Sequence, residues 1–184
     1  MTDKPEFSRP LAVRRIGSDG TDYTVEATEE ECQRVARRLN LPEIAMLRCR
    51  YTLHDRGRGV VEAHGALAAR FMQTCVVSLE VFEDMMAGSF VVRFVPAENF
   101  TDSDVPDLEA VDEIPYDGQE IDLGEAAVEQ FALDLDPYPH APDLVLPPGL
   151  IMDEDEAENL ATQERQTKKA NPFAGLARWK GGNA

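Results

Sequence analysis

From Phe94 to Glu164 the sequence holds 21 Asp and Glu and not one Lys or Arg. A block of like charge repels itself and resists packing, so it limits where a core can form. Most of the core must come from the residues before it, with help only from whatever apolar stripes the block retains. Residues 1–93 carry 13 Lys or Arg and 14 Asp or Glu, and residues 165–184 carry five Lys or Arg and no acid. The chain therefore reads as a near-neutral body, an acidic arm and a short basic tail. A net charge of −17 over 184 residues argues against capture of nucleic acid by the whole surface, though not by a local basic patch.

Other features narrow the class. The start, MTDKPEFSRP, has no apolar run of signal-peptide type. No segment approaches the roughly 20 apolar residues of a membrane helix, so a soluble cytoplasmic protein with no membrane partner is expected. The three cysteines, Cys32, Cys49 and Cys75, are odd in number and outside any CxxC pair, which fits reduced thiols better than a disulfide framework.

The apolar pattern predicts a first strand over 8–16 and a second over 21–27. Thr28 and Glu31 form a capping-box pair that opens a helix over 29–39, with Cys32, Val35, Ala36 and Leu39 on one face. Cys32 is thus expected in the core. Four β-like segments follow, at 44–53, 60–71, 71–82 and 89–95, with a bulge or bend expected at Gly65. Short turns between them favour an antiparallel meander. Residues 96–119 read as irregular. Asp122 can cap a second helix over 122–133, whose stripe is Ile121, Leu123, Ala127, Val128, Phe131 and Leu135. The expected fold is α+β: an antiparallel β-sheet meander packed with about two helices, an acidic irregular segment and a flexible C-terminal tail. Residues 1–140 would form the one domain, and 141–184 a flexible acidic linker and basic tail.

No phosphate loop, HExxH, GxSxG or calcium-loop pattern is present. Asp102, Asp104 and Asp107 lack the ligand set of a calcium loop, so no metal and no cofactor are expected, and no catalytic residues can be named. The candidates that remain are basic and aromatic. Arg14, Arg15, Arg56 and Arg58 lie near turns, where guanidinium groups can meet phosphate. Arg48 and Arg50 share one strand face. The tail interleaves Lys168, Lys169, Arg178 and Lys180 with Phe173 and Trp179, an arrangement that suits single-stranded RNA. The plainer alternative is solvated cations and aromatics that fold back on the core.

Two segments, QEIDLGEAAVEQFALDLDPYPHAP (119–142) and NPFAGLARWK (171–180), resemble the YceD family, the large ribosomal RNA subunit accumulation proteins. QTCVVSLEVF (73–82) is similar to the family's central cysteine-containing strand. The matching positions are Cys75, Glu120, Asp122, Leu123, Glu129, Pro137, Pro139, Asn171, Pro172 and Phe173. Many members carry a second cysteine three residues after the first. Ser78 stands there instead, so this chain has no Cys pair for zinc, and Cys75 is expected to be a buried strand residue.

The resemblance implies a small bacterial cytoplasmic protein needed for 23S ribosomal RNA accumulation. It points to a non-enzymatic factor whose partner is 23S rRNA or its precursor. The alternative is a protein–protein adaptor whose acidic segment holds a basic large-subunit ribosomal protein.

Overall fold

A computed structural model describes residues 5–100 and 111–143. In chain order the elements are β1 (Pro10–Ala12), β2 (Thr21–Glu26), α1 (Glu29–Arg38), β3 (Glu43–Gly57) and β4 (Val60–Thr74). Then come β5 (Val81–Pro96), β6 (Asp112–Tyr116), β7 (Glu120–Asp122) and α2 (Leu123–Asp134). One sheet runs β2-β3-β4-β5-β6 and a small one pairs β1 with β7. With two helices packed on it, the fold is α+β, as expected.

The centre of the sheet is two long hairpins. In β3 and β4 buried and exposed residues alternate with period two over most of their length, so one face is apolar and the other faces water. The β3–β4 turn has positive φ at both Arg58 and Gly59, the pattern of a two-residue type I′ hairpin. Gly59 is needed there twice over. Its φ is +79°, and a Cβ would meet the Tyr116 hydroxyl and the Pro96 ring at 2.9 Å. The same hydroxyl donates to Gly59 O at 2.7 Å and ties β6 to the turn.

The inner face carries Leu47, Cys49, Tyr51, Leu53, Val61, Ala63, Leu67, Phe71 and Phe94, all at most 2% exposed. α1 and α2 cover it. α1 begins with the complete capping box of Thr28 and Glu31, and buries Cys32, Val35 and Ala36. It ends at Asn40, whose φ of 55° breaks the helix in the left-handed region. α2 buries Leu123, Ala126, Ala127, Val128 and Phe131, and the Phe131 ring meets Phe71 edge-to-face at 5.1 Å. Residues 6–9 lie against both helices. Phe7 is fully buried, Arg9 clasps Glu31, and Arg38 joins Glu6 to Glu125.

Several expectations are corrected. The first strand is only three residues long, and Val13–Arg15 is a 3-10 turn, because consecutive Arg14 and Arg15 cannot both face water on a half-buried strand. Segment 71–82 is not one strand. β4 ends at Thr74 and β5 starts at Val81, and Cys75–Glu80 is the turn between them. Leu79 N donates to Cys75 O, Cys75 N donates to Glu80 O, and Leu79 has φ of 61°. Cys75 is buried, but it sits in that turn and not in a strand. The gap between the expected strands 71–82 and 89–95 is not a break: Glu83–Gly88 lies inside β5. Gly65 sits in an uninterrupted ladder opposite Phe90. The Phe90 ring fills the space of the missing Cβ. The register shifts fall instead in β3, at Ile44/Met46 and Asp55/Gly57.

The meander is also not wholly antiparallel. Within the supposedly irregular 96–119, β6 pairs parallel to the end of β5. Pro115 is tolerated because β6 is the edge of the sheet. Asp102, Asp104, Asp107 and the tail motif lie outside the described residues.

Candidate functional site

The helices and the N-terminal segment occupy one face of the five-stranded sheet, and no element among the described residues covers the other. Register dictates what that face shows. Three rows cross β3, β4 and β5: Thr52–His64–Val91, Arg50–Ala66–Ser89 and Arg48–Ala68–Ala87. The small side chains of Ala66, Ala68, Ala87 and Ser89 make a shallow channel down the middle, with Arg48 and Arg50 standing along its β3 side. A depression of about 350 Å³ lies beside Arg50, His64 and Ser89. Another of about 620 Å³ lies beside Met46, Arg70, Met85 and Ala87.

The charges on this face are mostly consumed. Glu62 is a hub. Its Oε1 takes Arg56 Nη2 at 2.5 Å and His64 Nε2 at 3.2 Å, and its Oε2 takes Arg93 Nε at 3.4 Å. These hydrogen bonds, Arg56 first and His64 next, hold its carboxyl down to about 2. Arg70 lies 3.7 Å from Glu83. Asp22 accepts from the Thr52 hydroxyl at 2.8 Å. Glu26 is the register neighbour of Arg48. Even so, among the described residues no carboxylate oxygen lies within 4 Å of the Arg48 or Arg50 guanidinium. Both side chains are exposed. Two cations next to a smooth channel can hold an anionic polymer lying across the sheet.

The other predicted cations lie elsewhere. Arg56 and Arg58 are at the β3–β4 turn, with Arg56 already paired. Arg14 and Arg15 are exposed in the 3-10 turn, and the chain just beyond them reaches that hairpin, where Gly17 O accepts from the Asp55 amide at 3.2 Å. Lys168, Lys169, Phe173, Arg178, Trp179 and Lys180 lie outside the described residues. Arg70, Arg93 and the edge-to-face pair His54–His64, with centroids 5.8 Å apart, were not singled out from the sequence. The alternation of 60–74 carried the signal, but only the register across three strands sets these residues beside Arg48 and Arg50.

The family-motif residues have structural work to do. Asp122 Oδ1 accepts from the amides of Gly124 and Glu125 at 2.9 and 3.1 Å, capping α2, and from Arg9 N at 2.7 Å. Its Oδ2 accepts from the Ser8 hydroxyl at 2.5 Å. Leu123 is buried, and its carbonyl accepts from the buried Tyr51 hydroxyl at 3.0 Å. Glu120 is exposed and pairs opposite Ala12. Glu129 is partly open to water, and its carboxyl is pushed up, by burial first and then by Glu125 one turn earlier. Pro137 lies past the end of α2.

Pro139 O accepts from Val76 N at 2.9 Å, which joins the post-helix segment to the cysteine turn. There the Ser78 amide donates to Cys75 Sγ at 3.4 Å. Donors from Ser78, side chain first and then backbone, and from the Ala141 amide, bring the thiol down to about 6. Burial pushes Cys49 up to about 11 and raises Cys32 as well. Asn171 and Pro172 lie outside the described residues. Among the described residues no three His, Cys, Asp or Glu side chains gather as a metal site, and no helix is long and apolar enough to cross a membrane.

The family model of the large ribosomal RNA subunit accumulation protein YceD matches residues 63–180. No curated protein and no solved structure matches the chain. The matched stretch is more than half of the chain and takes in the cysteine turn, the capped α2 and its proline-rich exit: this chain belongs to the YceD family of large ribosomal RNA subunit accumulation proteins.

Proposed function

We propose that the chain is a non-enzymatic, cytoplasmic factor that supports accumulation of 23S rRNA by holding that RNA, or its precursor, on the open face of the sheet. The observation that carries this reading is the pair Arg48 and Arg50. They are exposed, outside any ion pair among the described residues, and set beside a channel of small side chains. The family's role in large-subunit RNA supplies the ligand class. Arg14, Arg15, Arg58 and the tail cations Lys168, Lys169, Arg178 and Lys180 extend the contact to further phosphates, and Phe173 and Trp179 offer stacking surfaces.

The test is binding of labelled 23S rRNA fragments to the full chain. Arg48→Glu/Arg50→Glu is expected to weaken affinity at least about tenfold, at roughly 0.7 kcal/mol or more for each of two lost phosphate contacts. Both side chains are exposed, so the variant stays folded, with only a small drop in its unfolding midpoint from the carboxylate set opposite Glu26. Unchanged RNA affinity in the folded variant would sink the reading.

A second reading has its own observation, the 21 uncompensated acids between Phe94 and Glu164. An acidic arm of that kind could hold a basic large-subunit ribosomal protein before it reaches RNA. Removal of residues 165–184 separates the two. It weakens RNA binding under the first and leaves capture of a basic protein intact under the second.

A further inference from the structure

β5 is paired unequally on its two sides. β4 accompanies it from Val81 to Phe94, whereas β6 begins only at Val92. Along Val81–Val91 the far edge of β5 has no strand partner among the described residues. A long bare edge is a template for another strand. The Met85 amide donates to its own neighbour, Asp84 Oδ1, at 2.8 Å, the local substitute an edge amide takes when no ladder is present. Val81, Met85 and Val91 are 53%, 76% and 37% exposed, an unusual apolar load for an edge strand.

The two ends of that edge match about its centre, Val81 with Val91 and Phe82 with Phe90. VFEDMMAGSFV reads from Val81 to Val91 with Met86 in the middle. We propose that a second copy of this chain pairs with it, β5 to β5, antiparallel about a two-fold axis at Met86. In that register Val81 faces Val91 of the second copy, Phe82 faces Phe90, Met85 faces Ala87, and Met86 faces itself. Glu83 falls opposite Ser89 and Asp84 opposite Gly88, so no acid faces an acid. The two Asp84 carboxylates stand four residues apart along the strands, about 13 Å at roughly 3.3 Å per residue. That exceeds the screening length of about 8 Å at physiological salt.

Registers centred on Met85 or Ala87 lose the Val81–Val91 and Phe82–Phe90 pairs. Centring the pair on Asp84 or on Glu83 sets a carboxylate opposite its own copy, which costs stability. The acids that would guard a lone edge thus exclude two registers, and the paired Val and Phe residues favour the one at Met86. The interface is isologous, as a two-fold dimer requires. It merges two open faces into one ten-stranded surface. This inference rests on the edge alone and stands apart from the RNA-binding reading.

Sedimentation of the full chain over a concentration series tests it. The expected result is a reversible monomer–dimer equilibrium with a dissociation constant in the micromolar range, since an edge contact of this size is at the small end of specific interfaces. Met85 and Ala87 are exposed, so charges can be placed on them without touching the core. Met85→Glu/Ala87→Glu sets like charges across the axis and should raise the dissociation constant at least about tenfold. Met85→Glu/Ala87→Lys sets opposite charges there and should bring it back to within a few-fold of the parent. Met86→Cys, on the axis itself, should be joined into a dimer by a short bismaleimide, the three natural thiols being buried. A single-chain mass at every concentration, a dimer indifferent to Met85→Glu/Ala87→Glu, or failure of Met86→Cys to crosslink would overturn the proposal.

Discussion

Asp122 shows how much one side chain can hold. Its carboxylate takes four hydrogen bonds, two from the first turn of α2 and two from Ser8 and Arg9. Asp122→Ala removes a helix cap and leaves part-buried donors without a partner. A loss of about 2–3 kcal/mol is expected, read as a lower urea midpoint with an unchanged slope. The cap itself is legible in the sequence, because capping is local chemistry between residues three apart. The grip on Ser8 and Arg9 is not, because those partners are over a hundred positions away. Cys75 shows the reverse failure. Val76 and Val77 carry strong strand propensity, and the turn's signature is a positive φ at Leu79, where no Gly or Asn marks it. The same turn aims Ser78 at the sulfur. Thiolate absorbance should therefore rise near pH 6 in the parent, be absent near that pH in Cys75→Ala, and move upward in Ser78→Ala. Cys49 and Cys32, both raised, do not titrate in that range.

At the scale of elements, Arg9 and Glu31 form the tighter of the two ion pairs that hold α1 to the N-terminal segment, the other being Arg38 with Glu6. Arg9 Nη1 and Nη2 meet Glu31 Oε1 and Oε2 at 2.7 and 2.8 Å, and Glu31 also closes the capping box. The Arg9 hydrogen bond is the main cause that lowers the Glu31 carboxyl to about 2. A carboxyl lowered by folding stabilises the protein above its unfolded pKa and loses that contribution as pH falls through the folded one. Glu31→Gln should accordingly cost roughly 1–2 kcal/mol near pH 6, allowing for the partly exposed Arg9. The cost should shrink from about pH 4.5 downward and vanish near pH 2. Denaturation of both proteins across that range checks it. α1, α2 and the strands β2 to β4 are readable from capping and alternation. β6 is not: it is five residues long, contains Pro115, and gains its place by lying parallel at an edge that no local pattern announces.

At the scale of the whole molecule, charge and shape divide the work. Under the proposed reading, the net charge of −17 repels RNA at long range, while Arg48 and Arg50 offer attraction at close range. Two phosphate contacts to a single strand would give a salt slope of about −1.4 in the logarithm of affinity. Each further cation that Arg14, Arg15, Arg58 and the tail contribute adds about −0.7 to that slope, so a salt titration counts the contacts, and a steep dependence favours the RNA-binding reading. The alternation identifies Arg48 and Arg50 as partners on one face from sequence alone. That they escape ion pairing while Arg56, Arg70 and Arg93 do not depends on the placement of Glu62 and Glu83 across neighbouring strands, which only the assembled sheet decides.

The pairing of β1 with β7 has a kinetic meaning as well. Pro10, Leu11 and Ala12 find their partners at Asp122, Ile121 and Glu120, and the cap on α2 needs Ser8 and Arg9. The strand pairing cannot form until residues 120–122 have been made, nor the cap until Glu125 has followed. At about 5–20 residues per second of synthesis, the first strand waits on the order of ten seconds for its mate. The long β3–β4 and β4–β5 hairpins are local and can form during that interval. During synthesis α2 and the N-terminal segment can therefore seat together over the inner face of a sheet already in place.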